Sequence, residues 1–482
     1  MLNRRVILNT IGMSIILESV FMLLPVLVSV IYGEPDLHVN LMTFGITLGA
    51  GVVIWGLGRG HNRDVGRKDA YFIVPVVWVV FSAFGALPYY LGHYVPTYSD
   101  AFFEAISGFT TTGASVITDV EALPHGILFW RSLTHLIGGM GILIMFIAIL
   151  PFLGVGGMQL FHVESVGLQS NKLRPRVRET ARMLWVLYIS LVALETIFLL
   201  AGGMPLFDAL CHSFGTIATG GFSTKNASIA AYSPYIQYVV LVFMILAGTN
   251  FTLLLQFIRG RFNKPLNNPE FRLYLTILGL AGLIITFFLV FFQHLPFSRA
   301  FRDGFFQVTS ILTCTGFSTA DYMQWTHHAW FFIFLLMFVG GSSGSTAGGI
   351  KVGRHLMFMN NLKVQYQRLL HPRAVINVRI GEESVTPELM SRTFAFFVLY
   401  IVTFAVGSLI LVLNGLDTTS AMGAAATTMG GIGPGLGSVG PASNFAELSL
   451  TGKWVLSALM LLGRLELFAV LILFTRTFWK NR

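Results

Sequence analysis

Charged residues are scarce in this sequence. Asp, Glu, Lys and Arg make up 11% of its 482 residues, whereas an ordinary soluble protein contains about 25%. Hydrophobic residues make up 54%, and the mean hydropathy is +0.72. Because so little polar surface cannot coat a sizeable soluble domain, the composition excludes a soluble enzyme and a disordered protein. It predicts a protein that lies in a lipid bilayer.

Cysteine is also scarce, since Cys211 and Cys314 are the two in the chain. Two cysteines inside apolar segments do not make the framework of a secreted disulfide-rich domain. We expect both to be small buried residues rather than a disulfide pair.

Long apolar runs, in contrast, are abundant. A spanning helix needs about 20 predominantly apolar residues, and ten stretches meet that length, which predicts ten spans. Most of the 31 Lys and Arg residues lie in alternate connections between them, so these connections and both termini are predicted to face the cytoplasm. The basic runs are interpreted as orientation signals rather than a nucleic-acid interface, with docking of a cytosolic protein or anionic lipid as the second interpretation.

The sequence repeats four times after two leading helices, which are predicted over about Val6–Ile31 and Val39–Gly58. The first leading run has no small-residue cleavage site, so it is interpreted as a membrane anchor rather than a signal peptide. Each repeat contains a long apolar helix, a short apolar segment, a Thr/Gly turn and a second long helix. The predicted divisions are 1–68 for the leading helices and 69–160, 161–262, 263–372 and 373–482 for units one to four.

The long helices of the units follow from the apolar runs. The first helices are predicted at about Tyr71–Leu91, Met183–Ala201, Leu273–Phe292 and Thr393–Leu413. The second helices are predicted at about Ser132–Leu153, Ile236–Ile258, Trp330–Asn360 and Trp454–Phe474, with a break expected in the third.

The short segments share a matched spacing. Each opens with an aspartate that is expected to cap its helix and to suit the positive end of the helix dipole, namely Asp100, Asp208, Asp303 and Asp417. In the first three units a glycine follows 13 residues later, at Gly113, Gly221 and Gly316. The fourth is looser: Gly430 has that spacing, but Gly431 fits the surrounding pattern better and is preferred.

Each short helix has about half the length of a span, so it must enter the membrane and turn back. Non-helical backbone at that depth is tolerated only where it is buried in protein or lines a watery cavity. Four such turns around one axis would form rings of carbonyl oxygens, which replace the hydration shell of potassium in a selectivity filter. The alternative is ordinary small-residue contact between membrane helices, which four copies at matched spacing make the less favoured interpretation.

A glycine-rich stretch, GGSSGSTAGGIK, interrupts the second helix of unit three at residues 340–351. Glycine and serine both disfavour regular helix, so a flexible loop is predicted there. Close helix packing through GxxxG, from Gly340 to Gly344 and from Gly344 to Gly348, is the alternative. A nucleotide phosphate loop is disfavoured, because Lys351 does not directly follow a glycine and no Ser or Thr comes after it.

Several polar residues lie inside apolar stretches. Arg464 and Glu466 fall midway through the last predicted span, where a charge is costly, and they form either a functional site or a structural salt bridge. Asn250 either lines a cavity or bonds across helices. We expect packing and hydrogen bonding for the others, which show no HxxxH or CxxC metal-ligand spacing: Glu18, Glu104, Glu195, His135 and His212.

The four turns TTTGAS, ATGGFS, TCTGFS and TMGGIG resemble those of the Trk/Ktr/HKT superfamily of potassium transporters. The resemblance covers essentially the whole chain, and the two leading helices are similar to those of the bacterial TrkH branch. It implies an all-α polytopic fold with four helix, pore helix, filter and helix repeats around a pseudo-fourfold pore. The implied potassium-binding residues are Thr111, Thr112, Gly113, Thr219, Gly220, Gly221, Cys314, Thr315, Gly316, Met429, Gly430 and Gly431.

The resemblance also implies how the pore is controlled. The glycine-rich loop would obstruct the pore, with a gate formed by Gly340, Gly341, Gly344, Ser345, Gly348, Gly349, Lys351 and Arg464. It implies a homodimer in the bacterial inner membrane with a cytosolic, nucleotide-binding regulatory ring of TrkA type, and no organic cofactor on this chain. Glycine rather than serine at Gly113 favours potassium over sodium. A polytopic membrane enzyme or a proton-coupled carrier that uses the intramembrane acids is the alternative class.

Overall fold

The computed structural model describes residues 2–59, 66–141, 177–374, 376–381 and 383–480. The protein is an all-α polytopic membrane protein, as predicted. The two leading helices are Arg4–Tyr32 (α1) and Leu37–Leu57 (α2). The first helices of the four units are Arg67–Gly85 (α3, continued by α4 at Leu87–Leu91), Val177–Ala201 (α7), Pro269–Phe291 (α12) and Pro387–Leu413 (α16).

The remaining elements of the units follow the predicted order. The short helices are Tyr98–Phe109 (α5), Leu206–Ile217 (α8), Phe297–Leu312 (α13) and Thr418–Gly430 (α17). The second helices are His125–Gly139 (α6), Pro234–Ala247 with Phe251–Ile258 (α9, α10), His327–Leu336 with Val352–Leu370 (α14, α15) and Leu450–Arg464 with Phe468–Leu471 (α18, α19). Small elements complete the description: helices Asn263–Leu266 (α11) and Arg476–Trp479 (α20), and an antiparallel pair of two-residue strands, Arg379–Ile380 (β1) and Glu383–Ser384 (β2).

By length and composition, six helices in the described ranges could each cross a membrane, and the two bent pairs in units two and four would make eight. The other two predicted spans are the second helices of units one and three. The first of these was predicted to reach Leu153, but residues 142–176 lie outside the described residues. The second is divided into α14 and α15 by the glycine-rich stretch.

The second helices of units two and four bend sharply, so the prediction of continuous helices there is wrong. The angle is 107° between α9 and α10 and 111° between α18 and the segment after it. Asn250 caps α10 by accepting a hydrogen bond from the Thr252 N–H, while Glu466 and Leu467 at the other bend have positive φ. The sequence conceals both bends because long apolar stretches lie on both sides of each.

The leading helices form a close hairpin attached to unit one. A Cβ on Gly12 or Gly58 would overlap the backbone of the other helix, which is how small residues let membrane helices approach. At the tip, the Glu34 carboxylate accepts hydrogen bonds from the backbone N–H (2.6 Å) and pairs with the ring Nδ1 (2.7 Å) of His125 at the start of α6.

A buried ion pair joins the last unit to the first. Lys453 on α18 lies with Nζ 2.6 Å from Asp100 Oδ1 on α5 and 2.7 Å from the Ala446 carbonyl oxygen. Lys453 is 8% exposed and Asp100 is 3% exposed. This pair therefore fixes the second helix of unit four against the short helix of unit one.

We predict that Lys453→Met will strongly destabilise the protein, because it leaves the Asp100 carboxylate buried without its cation. Loss of one partner of a buried pair costs about 3 to 5 kcal/mol. The matched control is Lys225→Met, since Lys225 pairs with Glu121 at 3.2 Å where both side chains are more than a third exposed, and such a pair is worth about 0 to 1 kcal/mol. Thermal unfolding in detergent measures both, and equal effects of the two variants would contradict the prediction.

Candidate functional site

The four short helices end in the same backbone turn. Each turn has two positive φ angles two residues apart, at Thr111 and Gly113, Thr219 and Gly221, Cys314 and Gly316, and Gly431 and Gly433. The middle residue of each donates its backbone N–H to the carbonyl five residues earlier, at 2.8 to 2.9 Å. We call residues 111–113, 219–221, 314–316 and 431–433 the four turns.

This register corrects the fourth unit. Met429 and Gly430 end α17 and correspond to Phe109 and Thr110, so they do not belong to the turn. Gly431 corresponds to Thr111, and Gly433 takes the position of Gly113.

Neither sequence pattern identified the fourth glycine: the 13-residue spacing from Asp417 indicated Gly430, and the surrounding pattern indicated Gly431. The spacing fails because the four aspartates are not equivalent. Asp417 does cap α17, accepting from the Ser420 N–H at 3.0 Å. Thr97 caps α5, however, and Asp100 lies in its first turn. Asp208 likewise lies in the first turn of α8, and Asp303 lies inside α13. The predicted capping role is therefore wrong for three of the four aspartates.

The glycine at the end of each turn faces a carbonyl of the next unit. A Cβ on any of these glycines would lie less than 3.0 Å from a backbone carbonyl oxygen. The pairs of glycine and carbonyl are Gly113 with Gly220, Gly221 with Thr315, Gly316 with Ile432, and Gly433 with Thr112. The contacts thus run from unit one through unit four and back to unit one. The four turns form a closed ring, and each of these glycines is required both by its positive φ and by the lack of space.

A polar side chain nine residues before the glycine supports the ring in units one to three. Glu104 accepts from Ser115 Oγ (3.0 Å) and the Val116 N–H (2.9 Å). His212 Nε2 lies 2.9 Å from Ser223 Oγ, and Gln307 Nε2 donates to the Ala320 carbonyl at 2.6 Å. Each holds the segment that follows its own turn, which confirms the hydrogen-bonding roles expected for Glu104 and His212.

Unit four lacks this support, because Ala424 occupies the equivalent position. Two hydroxyls hold its following segment instead. Tyr322 of unit three donates to the Gly435 carbonyl at 2.6 Å, and Thr427 donates to the Pro434 carbonyl at 2.9 Å. Sequence reasoning missed Gln307 and Tyr322, although the shared nine-residue offset before the glycine could have identified Gln307.

Arg131 links units one and two behind the ring. Its Nε lies 2.6 Å from Glu104 Oε1, its Nη1 donates to the Ser223 carbonyl at 2.9 Å, and its guanidinium lies 3.6 Å over the Phe222 ring centroid. Glu104 and Arg131 are both buried. The pair is satisfied on both sides, as a buried ion pair must be.

His135 forms a second link between the same two units. Its Nδ1 lies 2.9 Å from the Gly108 carbonyl oxygen, and its Nε2 accepts from the Phe222 N–H at 3.2 Å. Since a carbonyl can only accept and an N–H can only donate, the ring is the neutral tautomer with its hydrogen on Nδ1. Both His135 contacts are structural, as expected from the sequence.

The two cysteines and two of the acids named from the sequence are buried. Cys211 and Cys314 are both free thiols in the interior, as predicted. Glu18 and Glu195 are fully buried, and the Glu18 carboxyl has no hydrogen-bond partner among the residues that the structure describes. Within those same residues, no group of three His, Cys, Asp or Glu side chains could hold a metal ion.

The glycine-rich stretch of unit three is a loop, as predicted. α14 ends at Leu336 and α15 begins at Val352. The loop is closed by two backbone hydrogen bonds, from Gly340 N–H to the Ile350 carbonyl (2.9 Å) and from Val352 N–H to the Gly341 carbonyl (3.1 Å). Because the segment is not helical, the GxxxG helix contact is excluded. We refer to residues 340–351 as the central loop.

The central loop lies against the ends of three short helices. Thr346 Oγ1 donates to the Ile217 carbonyl at 3.0 Å. A Cβ on Gly348 would overlap the Gly430 carbonyl oxygen, and one on Gly349 would lie 3.3 Å from Cys314 Sγ. Units two and four thus contact the loop just before their turns begin, and unit three contacts it at the first residue of its turn.

The other residues predicted for a gate lie within the loop. Gly344 accepts through its carbonyl from the Phe251 N–H at 3.1 Å. Ser345 Oγ donates to the Ser342 carbonyl at 2.6 Å, and Lys351 Nζ donates to the Ala347 carbonyl. Asn250 donates through Nδ2 to the Ser343 carbonyl at 2.6 Å, so it bonds across to the loop.

Arg464 is the last residue of α18 rather than the middle of a continuous span. Its Nη1 donates to the Thr346 carbonyl of the central loop at 3.0 Å, and its Nη2 donates to the Gly138 carbonyl of α6 at 2.6 Å. Glu466 forms an ion pair with Arg354. Arg464 therefore joins the central loop to the end of the second helix of unit one.

The sequence and the fold both match known proteins. The family described as "TrkH: Cation transport protein" matches residues 37–480. The Trk system potassium uptake protein TrkH of Salmonella typhimurium is 38% identical over 99% of both chains. The corresponding protein TrkG of Escherichia coli K12 is 37% identical, also over 99% of both chains.

A solved structure agrees with these relatives. The crystal structure of the potassium transporter TrkH from Vibrio parahaemolyticus is 36% identical and superposes with a TM-score of 0.89 over 99% of both chains. Agreement over this length covers the leading hairpin, the four units and the central loop together. The resemblance inferred from the four turns is confirmed, and the chain belongs to the TrkH family of cation transport proteins.

Proposed function

We propose that this protein mediates potassium uptake through a pore whose narrowest part is the ring of four turns. The closed cycle of glycine and carbonyl contacts is the observation that carries the proposal. Two further facts support it: the relatives described above are potassium uptake proteins, and rings of backbone carbonyls replace the hydration shell of potassium. The protein acts as a transporter rather than an enzyme.

The short helices favour a cation at the ring. Each ends just before its turn, so the negative end of its dipole lies beside the carbonyls. The supports behind the turns, such as the Glu104–Arg131 pair, hold those carbonyls in place. A fixed set of carbonyls lets the energy of coordination depend on the size of the ion, which is the basis of potassium over sodium selectivity in this proposal.

The central loop and Arg464 form the gate. The loop lies against the ends of the short helices, where it would obstruct ions that leave the ring. A positive charge also opposes a passing cation, by about 4 kcal/mol at 4 Å if the effective dielectric is about 20. Displacement of the loop and of Arg464 opens the pore.

The functional unit is a homodimer in the bacterial inner membrane with both termini in the cytoplasm. A cytosolic, nucleotide-binding ring of TrkA type controls the gate from the basic face, and no organic cofactor is needed on this chain. The distribution of basic residues supports this orientation, and the words "Trk system" in the names of the relatives support a multicomponent assembly.

Flux in reconstituted vesicles tests the proposal. Potassium and sodium fluxes are measured with the purified protein, with and without an imposed pH gradient. The proposal expects potassium flux that exceeds sodium flux and does not depend on a proton gradient. Potassium flux that requires the pH gradient would instead identify a proton-coupled carrier. Absence of potassium flux both without the cytosolic ring and in its presence would contradict the proposal.

We predict that Gly113→Ser and Gly433→Ser will each weaken potassium over sodium selectivity. Either side chain must displace a carbonyl of the adjacent turn, which widens or distorts the ring. We expect selectivity to fall about tenfold, a change of about 1.4 kcal/mol between the two ions. Competitive uptake of the two ions measures it.

Gly431→Asn is the matched control for this prediction. Gly431 has positive φ, which Asn tolerates, and no atom lies within 4 Å of a Cβ built there. Selectivity should therefore stay close to that of the unmodified protein. If Gly431→Asn loses selectivity and Gly433→Ser keeps it, the register derived for unit four is wrong.

We predict that Arg464→Ala will raise potassium flux in the absence of any partner. The variant removes a positive charge and the hydrogen bonds that Arg464 donates to the Thr346 and Gly138 carbonyls. An increase of about tenfold corresponds to a barrier lower by about 1.4 kcal/mol. Arg464→Lys should raise the flux less, because it keeps the charge but loses the planar fork.

Thermal stability is measured beside flux for both variants. A gating role predicts that Arg464→Ala conducts more while most of the protein stays folded. If both variants lose flux and folded protein together, Arg464 serves only to hold the helices together.

A further inference from the structure

Glu270 connects the central loop to the helix that follows it. It lies in the first turn of α12, the first helix of unit three. Its Oε1 accepts two backbone hydrogen bonds, from the Ser343 N–H at 2.6 Å and from the Gly353 N–H at 2.9 Å. Ser343 is in the central loop and Gly353 is in the first turn of α15, so a single oxygen atom holds both ends of the intervening segment.

Both hydrogen bonds suit a carboxylate. The first backbone N–H groups of a helix have no partner within that helix, and an anion is favoured at this positive end. Glu270 thus acts for α15 as a cap supplied by another helix. The same oxygen can accept both hydrogen bonds only while the loop and α15 both keep their positions relative to α12.

The other contacts of this part of the loop come from unit two. Ser342 N–H donates to the Gly248 carbonyl at 2.9 Å, and Asn250 Nδ2 donates to the Ser343 carbonyl. Neither contact involves α15. They hold the loop to unit two, whereas Glu270 holds the loop and the start of α15 together against α12.

The far half of α15 is attached to the short β1–β2 segment. Asn360 Nδ2 donates to the Arg379 carbonyl at 2.9 Å, and Arg368 Nη2 donates to the Ile376 carbonyl at 2.8 Å. Met357 and Val364 pack there with Val378 and Met390 in a small separate core. This segment lies in one of the basic connections that the charge distribution assigns to the cytoplasmic face. α15 runs without a break from this segment to Gly353.

We propose that Glu270 is a latch that couples the position of α15 to closure of the central loop. When α15 is drawn away from α12, the central loop moves with it, because the Val352 N–H donates to the Gly341 carbonyl. The Glu270 carboxylate then loses both Gly353 and Ser343. Glu270 is a positioning residue in this scheme and does not touch the ion. The inference rests on the proposed gate function of the loop.

The test combines flux with a direct measure of loop exposure. Ser345→Cys places a thiol in the central loop of the full-length protein in vesicles, and a membrane-impermeant maleimide applied to the cytoplasmic face reports its exposure. Cys211 and Cys314 are buried, and labelling of the chain without Ser345→Cys measures their background. Potassium flux is recorded on the same preparations without any partner protein.

Glu270→Ala should raise both the labelling rate and the potassium flux, by about tenfold, because two hydrogen bonds to a charged acceptor are lost. Glu270→Gln should stay near the unmodified protein, since its amide oxygen can still accept both bonds. The matched control is Glu388→Ala, which removes an exposed acid from the first turn of α16 and should change neither measurement.

The outcomes separate the latch from the gate. Faster labelling with unchanged flux supports the latch and contradicts the gate role of the loop. Unchanged labelling in Glu270→Ala overturns the latch, whatever the flux. If that variant does not fold, Glu270→Asp replaces it: its carboxylate is one methylene shorter and cannot reach both N–H groups, so labelling equal to that of the unmodified protein overturns the latch as well.

Discussion

A backbone carbonyl at membrane depth has no water to bind unless it lines an aqueous path, and this constraint organises the protein. At each of the four turns the carbonyl of the middle residue lies where the neighbouring glycine would otherwise carry a Cβ. One unit can therefore adopt its turn only when the preceding unit presents glycine. The four turns depend on one another cyclically, so the ring forms as a whole.

The framework around the ring keeps it from collapsing or widening. Glu104, His212 and Gln307 each bind the segment after their own turn, and Arg131 ties the first unit to the second. These contacts lie within the interior, where each unmet polar group is costly. The support is not symmetric, because the fourth unit depends on Tyr322 of its neighbour. In the proposed function, selectivity therefore rests on side chains behind the ring as well as on the carbonyls within it.

Four features could be predicted because each has a recognisable local pattern in the sequence, either a matched spacing or a cluster of glycines. They are the repeats, the short helices, the first three glycines and the central loop. The fourth glycine could not be predicted. Asp417 is the cap of its helix, whereas Asp100 lies three residues after the cap of its own helix, which is a threonine. The same count from the aspartate therefore reaches a different place in the fourth turn. The bends at Asn250 and Glu466 were hidden because apolar residues continue on both sides. Contacts such as that between Glu270 and Ser343 join residues far apart in sequence, and a single sequence carries no signal for them.

The bends also explain how an arginine can be held at this depth. Where a helix stops, its last carbonyls lack partners within the helix. Gly138 at the end of α6 provides a carbonyl to Arg464, and Thr346 in the central loop provides another. Broken helices thus supply the acceptors that a guanidinium needs. The break in unit three is longer than the sharp bends in units two and four. It is long enough to extend against the short helices. The central loop is therefore an enlarged form of a break that also occurs in other units, and Arg464 holds it to the end of α6.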